Sequence, residues 1–240
     1  IWTVLRDAAQ AEAALSRLLK EYPDSPEARS ALPLIADSLM KLGMREEAVA
    51  RYRQMFAESG GKYSDSDLLR AARALIEAKE HDLARQGLER LLARSRDVAV
   101  VAPARLAQAE LLLAREEYGE AIKVLESFIK DYPNLALVVD ASLLLSKAAS
   151  KAGEMERDEL RRKLLFNTAV EAMRLVRQRR TNQLDMAVAD IEVGRILARK
   201  ARAESRFGLT EKAARSRGEA LVAYQSFIDL TNPANPALAP

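Results

Sequence analysis

One small residue recurs along the first half of the chain at a nearly constant spacing. Consecutive copies lie 37, 36 and 37 residues apart, and larger apolar residues follow each copy four and seven positions later. The recurring residue is alanine, at Ala11, Ala48, Ala84 and Ala121. Two helices that cross closely need a small side chain at the crossing, with large apolar neighbours to fill the space beside it. The spacing therefore predicts a repeated pair of antiparallel helices.

The composition favours helix along almost the whole chain. Hydrophobic residues make up 49% of the 240 positions, and glycine and proline are scarce, at nine and eight residues. Alanine, leucine, arginine and glutamate dominate, and all four are good helix formers. No uninterrupted apolar run of about 18 residues occurs, so the sequence offers no candidate for a membrane-spanning helix. The sequence therefore predicts an all-α fold.

Helix ends are marked by capping residues and by glycine. Ser25, Pro26 and Glu27 are typical of an N-cap, a first helical position and an acidic first turn. Asn134 is placed to cap a later helix, and Gly43 interrupts the chain between two helices. Three complete repeats are predicted, at about residues 25–59, 65–95 and 99–131.

The pattern changes after residue 153. The alanine expected one period after Ala121 falls at Asp158, a poor residue for a close helix crossing. A second copy of the Glu120-Ala121 motif is expected at Glu219-Ala220, and the predicted helices lengthen, to about 156–180, 183–207 and 210–230. We therefore predict a three-part chain. Residues 1–153 contain regular repeats, namely a partial first repeat, three full ones and the start of a fourth. Residues 154–231 form longer helices packed on these repeats. Residues 232–240 form a tail of proline, alanine and asparagine.

The first complete repeat opens with a distinctive motif, Tyr22-Pro23-Asp24-Ser25-Pro26-Glu27-Ala28, followed by an apolar helix that ends at Gly43. With a period in the mid-thirties, this motif resembles the tetratricopeptide repeat. It is similar in style to the repeats of bacterial envelope proteins, namely the outer-membrane assembly lipoproteins and the Tol-Pal-associated periplasmic family. The resemblance implies a right-handed α-solenoid of antiparallel helix pairs that acts as a protein-binding scaffold in the periplasm or cell envelope.

A cytoplasmic tetratricopeptide adaptor is the alternative. The chain starts at Ile1 without a methionine, so we expect a piece of a longer protein. A signal peptide upstream of it would decide between the two locations.

In tetratricopeptide proteins the first helix of each pair lines a groove that receives a peptide or a partner helix. The resemblance implies a groove that is apolar with a few charges. Its implied residues are Asp37, Met40, Leu69, Arg70, Arg73, Ile76, Leu106, Glu110 and Leu113. The chaperone-binding members hold a carboxylate with Lys and Asn at these positions, and those residues are absent here. Arg70 and Arg73 share one helix face. They either select an acidic partner segment, or they are solvated or paired with Asp37 or Glu110 of adjacent repeats.

Residue types that carry chemistry are few. His81 is the one histidine, at a helix–helix turn, and the chain has no cysteine, so neither a multi-histidine nor a thiolate metal site is expected. Gly60-Gly61-Lys62 lacks the upstream glycine and the following serine or threonine of a phosphate-binding loop. We therefore expect no enzymatic activity, no cofactor and no small-molecule substrate.

A basic stretch follows residue 156. Its cations are Arg157, Arg161, Arg162, Lys163, Arg174, Arg177, Arg179 and Arg180. They allow three interpretations: a solvated helix with a basic outer side, a contact with a protein or an anionic surface through residues 157–180, or nucleic-acid binding. Nucleic-acid binding requires aromatic residues for stacking, and Phe166 is the one aromatic residue nearby. The sequence therefore favours protein partners over nucleic acid.

Overall fold

The computed structural model describes residues 10, 13–18, 20–22, 25–57 and 63–232. Within them the chain forms helices and turns, with no strand, which confirms the predicted all-α fold. The helices with complete bounds are α1 (Pro26–Lys41), α2 (Arg45–Ala57), α3 (Asp65–Glu77), α4 (His81–Arg94), α5 (Val98–Ala114), α6 (Tyr118–Asp131), α7 (Val138–Met155), α8 (Glu159–Gln178), α9 (Gln183–Arg206) and α10 (Thr210–Thr231).

The chain divides into two compact units, Ile1–Arg115 and Glu116–Pro240. In the first unit, α1 packs on α2 and α3 packs on α4, and the first helices α1, α3 and α5 lie side by side. In the second unit, each helix from α6 to α10 packs on the next, and α7 also contacts α9. The predicted change of repeat type after residue 153 stays a prediction, and the predicted tail lies, from residue 233 on, outside the described residues.

The recurring alanines are buried in this packing. Ala48, Ala84 and Ala121 are each 0% exposed, whereas Ala11 lies outside the described residues. The larger residues four positions after Ala48 and Ala84, which are Tyr52 and Leu88, are buried as well. This agrees with the predicted role of small and large residues in the core.

Helical glycines make further close contacts that the repeat pattern does not show. A Cβ atom added at Gly87 on α4 would lie 2.5 Å from the Phe56 ring on α2. The same addition at Gly153 on α7 would come within 3.0 Å of the Phe166 ring on α8, and at Gly194 it would meet a tyrosine ring of α10. At the junction of α7 and α8, where Asp158 replaces the expected alanine, a glycine therefore supplies the small residue.

The turn inside several helix pairs uses a left-handed residue at one fixed position. Gly43, Lys79, Glu116 and Gly208 have φ of 78°, 61°, 62° and 76°. The first three precede the recurring alanines by five positions, and Gly208 precedes the fully buried Ala213 by the same distance. The turn is thus a shared feature of these pairs, even where the residue has a side chain that disfavours this conformation.

The α9–α10 pair shows the motif in a different register. Measured from the left-handed residue of the turn, Ala213 is the counterpart of Ala121, whereas the predicted counterpart was Ala220. The two positions differ by seven residues, close to two helical turns, so both lie on one face of α10. Both are buried. The motif recurs in this longer pair, but about two turns further from the loop.

Capping agrees with the sequence at one predicted site and not at another. The Ser25 Oγ accepts a hydrogen bond from the Ala28 amide at 3.0 Å, as predicted. The prediction for Asn134 was wrong. The residues after Tyr132 form successive turns, with the Leu135 amide donating to the Tyr132 carbonyl at 3.2 Å, so α7 begins later, at Val138.

Arginine side chains join separate helices through backbone carbonyls. The Arg90 Nη1 on α4 donates to the Phe56 carbonyl on α2 at 2.9 Å, and the Arg45 Nη2 on α2 donates to the Glu77 carbonyl on α3 at 3.2 Å. In the second unit, the Arg179 Nη2 donates to the Pro133 carbonyl at 2.6 Å. The Phe56 and Glu77 carbonyls lie in the last turns of α2 and α3, where a helix leaves carbonyl groups without intrahelical donors. Pro133 instead lies in the turns between α6 and α7.

Alanine substitutions at two helical glycines should change stability in opposite directions. Gly87→Ala should lower the free energy of unfolding by about 1–3 kcal/mol, because the buried Phe56 ring blocks the new methyl group. Gly218→Ala on α10 should raise it by about 0.5–1 kcal/mol, because nothing lies within 4 Å of the added atom and alanine favours helix. Urea titration followed by circular dichroism measures both. Stabilisation by both variants would contradict the close contact at Gly87.

The left-handed turn predicts a second pair of opposite effects. Lys79→Gly should raise the free energy of unfolding by up to about 1 kcal/mol, because glycine adopts positive φ without a steric penalty. Its neighbour Glu80 has φ of −84°, so Glu80→Gly should lower stability by about 0.5–1 kcal/mol through backbone entropy, with a small further loss from its exposed 3.9 Å ion pair with Arg53. The same urea titrations apply, and a loss of stability in both variants would refute the strain at Lys79.

Candidate partner-binding groove

The predicted groove residues lie on the three first helices of the first unit. On α1 and α3, Asp37, Met40, Leu69 and Ile76 are partly buried, and Arg70 and Arg73 are exposed. The three apolar members of this set also pack against the core of the unit. The face formed by α1 and α3 thus combines apolar side chains and arginines, as the resemblance implied.

The part of the groove on α5 is less open. Glu110 and Leu113 are partly buried, but Leu106 is only 2% exposed, so its side chain is not available to a partner. The reason is that α5 buries residues on two opposite sides; besides Leu106 they are Ala102, Ala104, Ala107, Ala109 and Leu111. Leu106 lies on one of these covered sides, and its assignment to the groove is corrected accordingly.

A chain of polar contacts crosses the groove from α2 to α3. The Tyr52 hydroxyl donates to the Asp37 Oδ1 at 2.7 Å, and the Arg70 Nε lies 3.1 Å from the Asp37 Oδ2. The Arg70 Nη2 also donates to the Asp67 Oδ1 at 2.5 Å. Arg70 is thus held between two carboxylates, which matches the pairing alternative for this residue. An arginine with two acidic partners offers little net positive charge to an acidic ligand.

The Tyr52 hydroxyl anchors this chain in the core. Burial raises the pKa of Tyr52 far above its usual value, and the hydrogen bond to Asp37 raises it further. Tyr52 is therefore a neutral hydrogen-bond donor at neutral pH. Sequence reasoning placed Tyr52 in the core but missed its bond to the groove. The spacing of three residues between Asp67 and Arg70 was the available signal for the second carboxylate.

Arg73 differs from Arg70. Its Nη2 lies 3.5 Å from the Pro103 carbonyl on α5, at the outer limit of a hydrogen bond, and no carboxylate among the described residues pairs with it. Pro103 stands inside a helix, where its ring removes one backbone donor. Arg73 is thus the exposed cation of this face whose charge is not balanced by a carboxylate.

Most cations of the basic stretch are already engaged. Arg174, Arg177 and Arg180 pair with carboxylates at 2.5, 3.0 and 3.7 Å. Arg179 binds the Pro133 carbonyl, and Arg162 is buried. Phe166, the one aromatic residue predicted to be near, is buried as well. The geometry therefore gives no support to stacking of nucleic-acid bases along residues 157–180.

Comparison with protein families identifies the repeat. The family model described as "Tetratricopeptide repeat" matches residues 4–25, 68–97 and 104–135. Tetratricopeptide repeats are therefore present in this chain. The second and third matches cover most of α3–α4 and α5–α6, and they start 36 residues apart, in agreement with the period of the alanines. This match concerns the repeat itself, and the bacterial-envelope style of the repeats stays a prediction.

The chain was also compared with curated proteins and with solved structures. No curated protein matches the sequence significantly. Among solved structures, the chain is similar to the "Crystal structure of BtubC (BKLC) from P. vanneervenii" with a TM-score of 0.49 and 15% identity, over 92% of this chain and 90% of that one. In the part of the chain that the structure describes, no helix is both long and apolar enough for a transmembrane span.

Removing the Tyr52 hydroxyl should cost more stability than breaking the exposed ion pair beside it. Tyr52→Phe should lower the free energy of unfolding by about 1.5–3 kcal/mol, the range for a hydrogen bond to a charged group. Arg70→Gln should lower it by at most about 1 kcal/mol, because Arg70 is largely solvated. Thermal and urea unfolding measure both variants. An equal or larger loss for Arg70→Gln would contradict the prediction that the Tyr52 hydroxyl contributes more stability than the Arg70 ion pair.

Proposed function

We propose that this protein is an interaction scaffold that holds a segment of a partner protein on the face formed by α1, α3 and the open part of α5. The tetratricopeptide repeats support a protein-binding role. The parallel row of first helices supports this face as the site, because such a row presents a continuous surface to a peptide or helix.

The single observation that carries the choice of partner is the state of Arg73. Its guanidinium group meets a backbone carbonyl at long range and no carboxylate of the described residues, and the partly buried Leu69 and Ile76 lie on the same helix. Apolar contacts supply affinity, and an arginine without an acidic partner selects a carboxylate through charge-assisted hydrogen bonds. The partner segment is therefore an apolar stretch that carries at least one Asp or Glu.

A site-specific cross-link can identify this partner. A photoreactive residue at Leu69 should capture a partner in cells that express the protein, and the same residue at Gln86, which is exposed on α4, serves as the control. A partner captured equally at both positions would not be bound in the groove.

Affinity for the captured segment then tests the chemistry. Arg73→Glu should weaken binding by about tenfold or more, because it replaces an attractive pair with a repulsive one. Arg96→Glu makes the same charge change at an exposed arginine between α4 and α5, and it should leave the affinity nearly unchanged. Unchanged binding by Arg73→Glu, with helix content preserved, would remove the arginine from the mechanism.

For the cellular setting, we propose the bacterial cell envelope or periplasm. The support is the motif from Tyr22 to Ala28, whose style is that of envelope tetratricopeptide proteins. Sequencing the gene upstream of Ile1 and fractionating cells test this proposal together. A signal peptide with recovery in the periplasmic fraction is expected, whereas recovery with the cytoplasm would establish the alternative of a cytoplasmic adaptor.

A further inference from the structure

A small charged cleft lies in the second unit, between α8, α9 and α10. Its volume is about 150 Å³. The cleft is lined by five cations, two carboxylates, one hydroxyl and one aromatic ring: Arg162, Lys163, Lys200, Lys212, Arg215, Glu159, Glu204, Ser216 and Phe166. It is separate from the groove of the first unit and plays no part in the function proposed above.

The floor of the cleft is rigid and positively charged. Arg162 is 3% exposed, and its Nη1 donates to the carbonyls of Glu156 and Arg157 at 3.1 and 3.2 Å. Its guanidinium carbon lies 4.4 Å from the centre of the Phe207 ring. These contacts fix the side chain but include no carboxylate, so the buried charge of Arg162 is not neutralised by an ion pair.

The rim of the cleft carries an excess of cations. Lys212 pairs with Glu159, which balances those two charges. No hydrogen bond or ion pair with any described residue engages the side chains of Lys163, Lys200 and Arg215. Positive groups gathered in a cleft concentrate anions there.

One lining residue does not fit a simple anion site. Glu204 is 8% exposed, no described residue donates a hydrogen bond to its side chain, and its Oε2 is fully enclosed without a partner. A buried carboxylate without a donor is costly and calls for a ligand, an ion or a water molecule. Because the carboxyl group turns readily about its terminal bond, either oxygen can face the cleft.

We propose that this cleft binds a phosphate group that retains a proton, either inorganic monohydrogen phosphate or a small phosphomonoester. The P–OH group donates to Glu204, and the charged oxygens accept hydrogen bonds from Lys200, Lys163 and Arg215. The carboxylate thus gives the site its selectivity, because it repels an oxyanion that has no proton to donate. Sulfate has the same charge and shape as monohydrogen phosphate but no proton at neutral pH, so the site rejects it.

The first test compares these two anions on the intact chain. Titration calorimetry at constant ionic strength and pH 7.5 should show saturable binding of inorganic phosphate. Sulfate should bind more weakly by about tenfold or more, because it cannot donate a charge-assisted hydrogen bond to Glu204 and is repelled by the carboxylate. Equal binding of both anions would overturn the proposal and leave a non-selective basic surface. Absence of phosphate binding up to about 10 mM would overturn it too, with water as the partner of Glu204.

Variants assign the selectivity to named residues. Lys200→Met should weaken phosphate binding by about tenfold, as expected for the loss of one charge-assisted contact. Glu204→Gln offers an amide donor in place of the carboxylate, so sulfate should bind this variant about as well as phosphate does. Arg161→Gln removes an exposed cation that does not line the cleft, and it should change neither affinity. Circular dichroism confirms that each variant is folded, and a Glu204→Gln protein that still rejects sulfate would refute the role of Glu204.

A third measurement distinguishes free phosphate from a phosphomonoester. Phosphoserine loses its second proton with a pKa of about 6, so its binding should strengthen as pH falls from 7.5 to 5.5. Inorganic phosphate carries at least one proton throughout this range, so its binding should not strengthen in this way. Tighter binding of phosphoserine than of phosphate at pH 5.5 assigns the site to esters, and the reverse order assigns it to the free ion. Weaker phosphoserine binding at low pH would contradict recognition of the proton.

Discussion

Neighbouring helices of this chain approach one another through alanine and glycine, and the remaining packing depends on that close approach. Where Ala48 and Ala84 are buried, the helix axes come near enough for Tyr52 and Leu88 to fill the core beside them. Gly87 goes further, because its missing side chain leaves the space that the Phe56 ring occupies. The need for a small residue at each close approach also constrains the length of the repeat, because that residue must recur on the same helix face in the next pair.

Much of the fold could be predicted from the sequence because the small residues recur with a fixed period. The burial of the alanines follows from that pattern, and the pairing of Arg70 with Asp37 is one of the alternatives that the sequence left open. Three features did not follow. Lys79 adopts the conformation of Gly43 because the turn geometry is shared, while local preference opposes it. The motif at Ala220 is displaced because the α9–α10 pair is longer. Leu106 is buried because α5 is covered on two opposite sides, and a residue-by-residue transfer of groove positions does not take this into account.

The two units use charge in different ways. In the groove, the carboxylates of Asp37 and Asp67 offset the positive charge of Arg70, and the Asp37–Arg70 pair connects adjacent repeats, whereas no described carboxylate pairs with Arg73. In the cleft, Lys163, Lys200 and Arg215 surround a carboxylate without a donor. The cleft could not be foreseen from the sequence, because its residues come from α8, α9 and α10 and are up to 57 positions apart. The sequence showed only the basic stretch, most of which is engaged in ion pairs and hydrogen bonds.

The arginine bonds between helices have a consequence for the behaviour of the protein in acid. Guanidinium groups stay protonated at every pH that proteins encounter, and a backbone carbonyl does not titrate. The bonds from Arg45 to Glu77, from Arg90 to Phe56 and from Arg179 to Pro133 therefore keep their charge state when carboxylates become protonated. The arginine and lysine partners of Asp65, Asp82 and Glu159 lower the pKa values of these carboxyl groups, so such ion pairs break only in strong acid. The arginine–carbonyl bonds contain no group that titrates there, so acid protonation does not remove them directly.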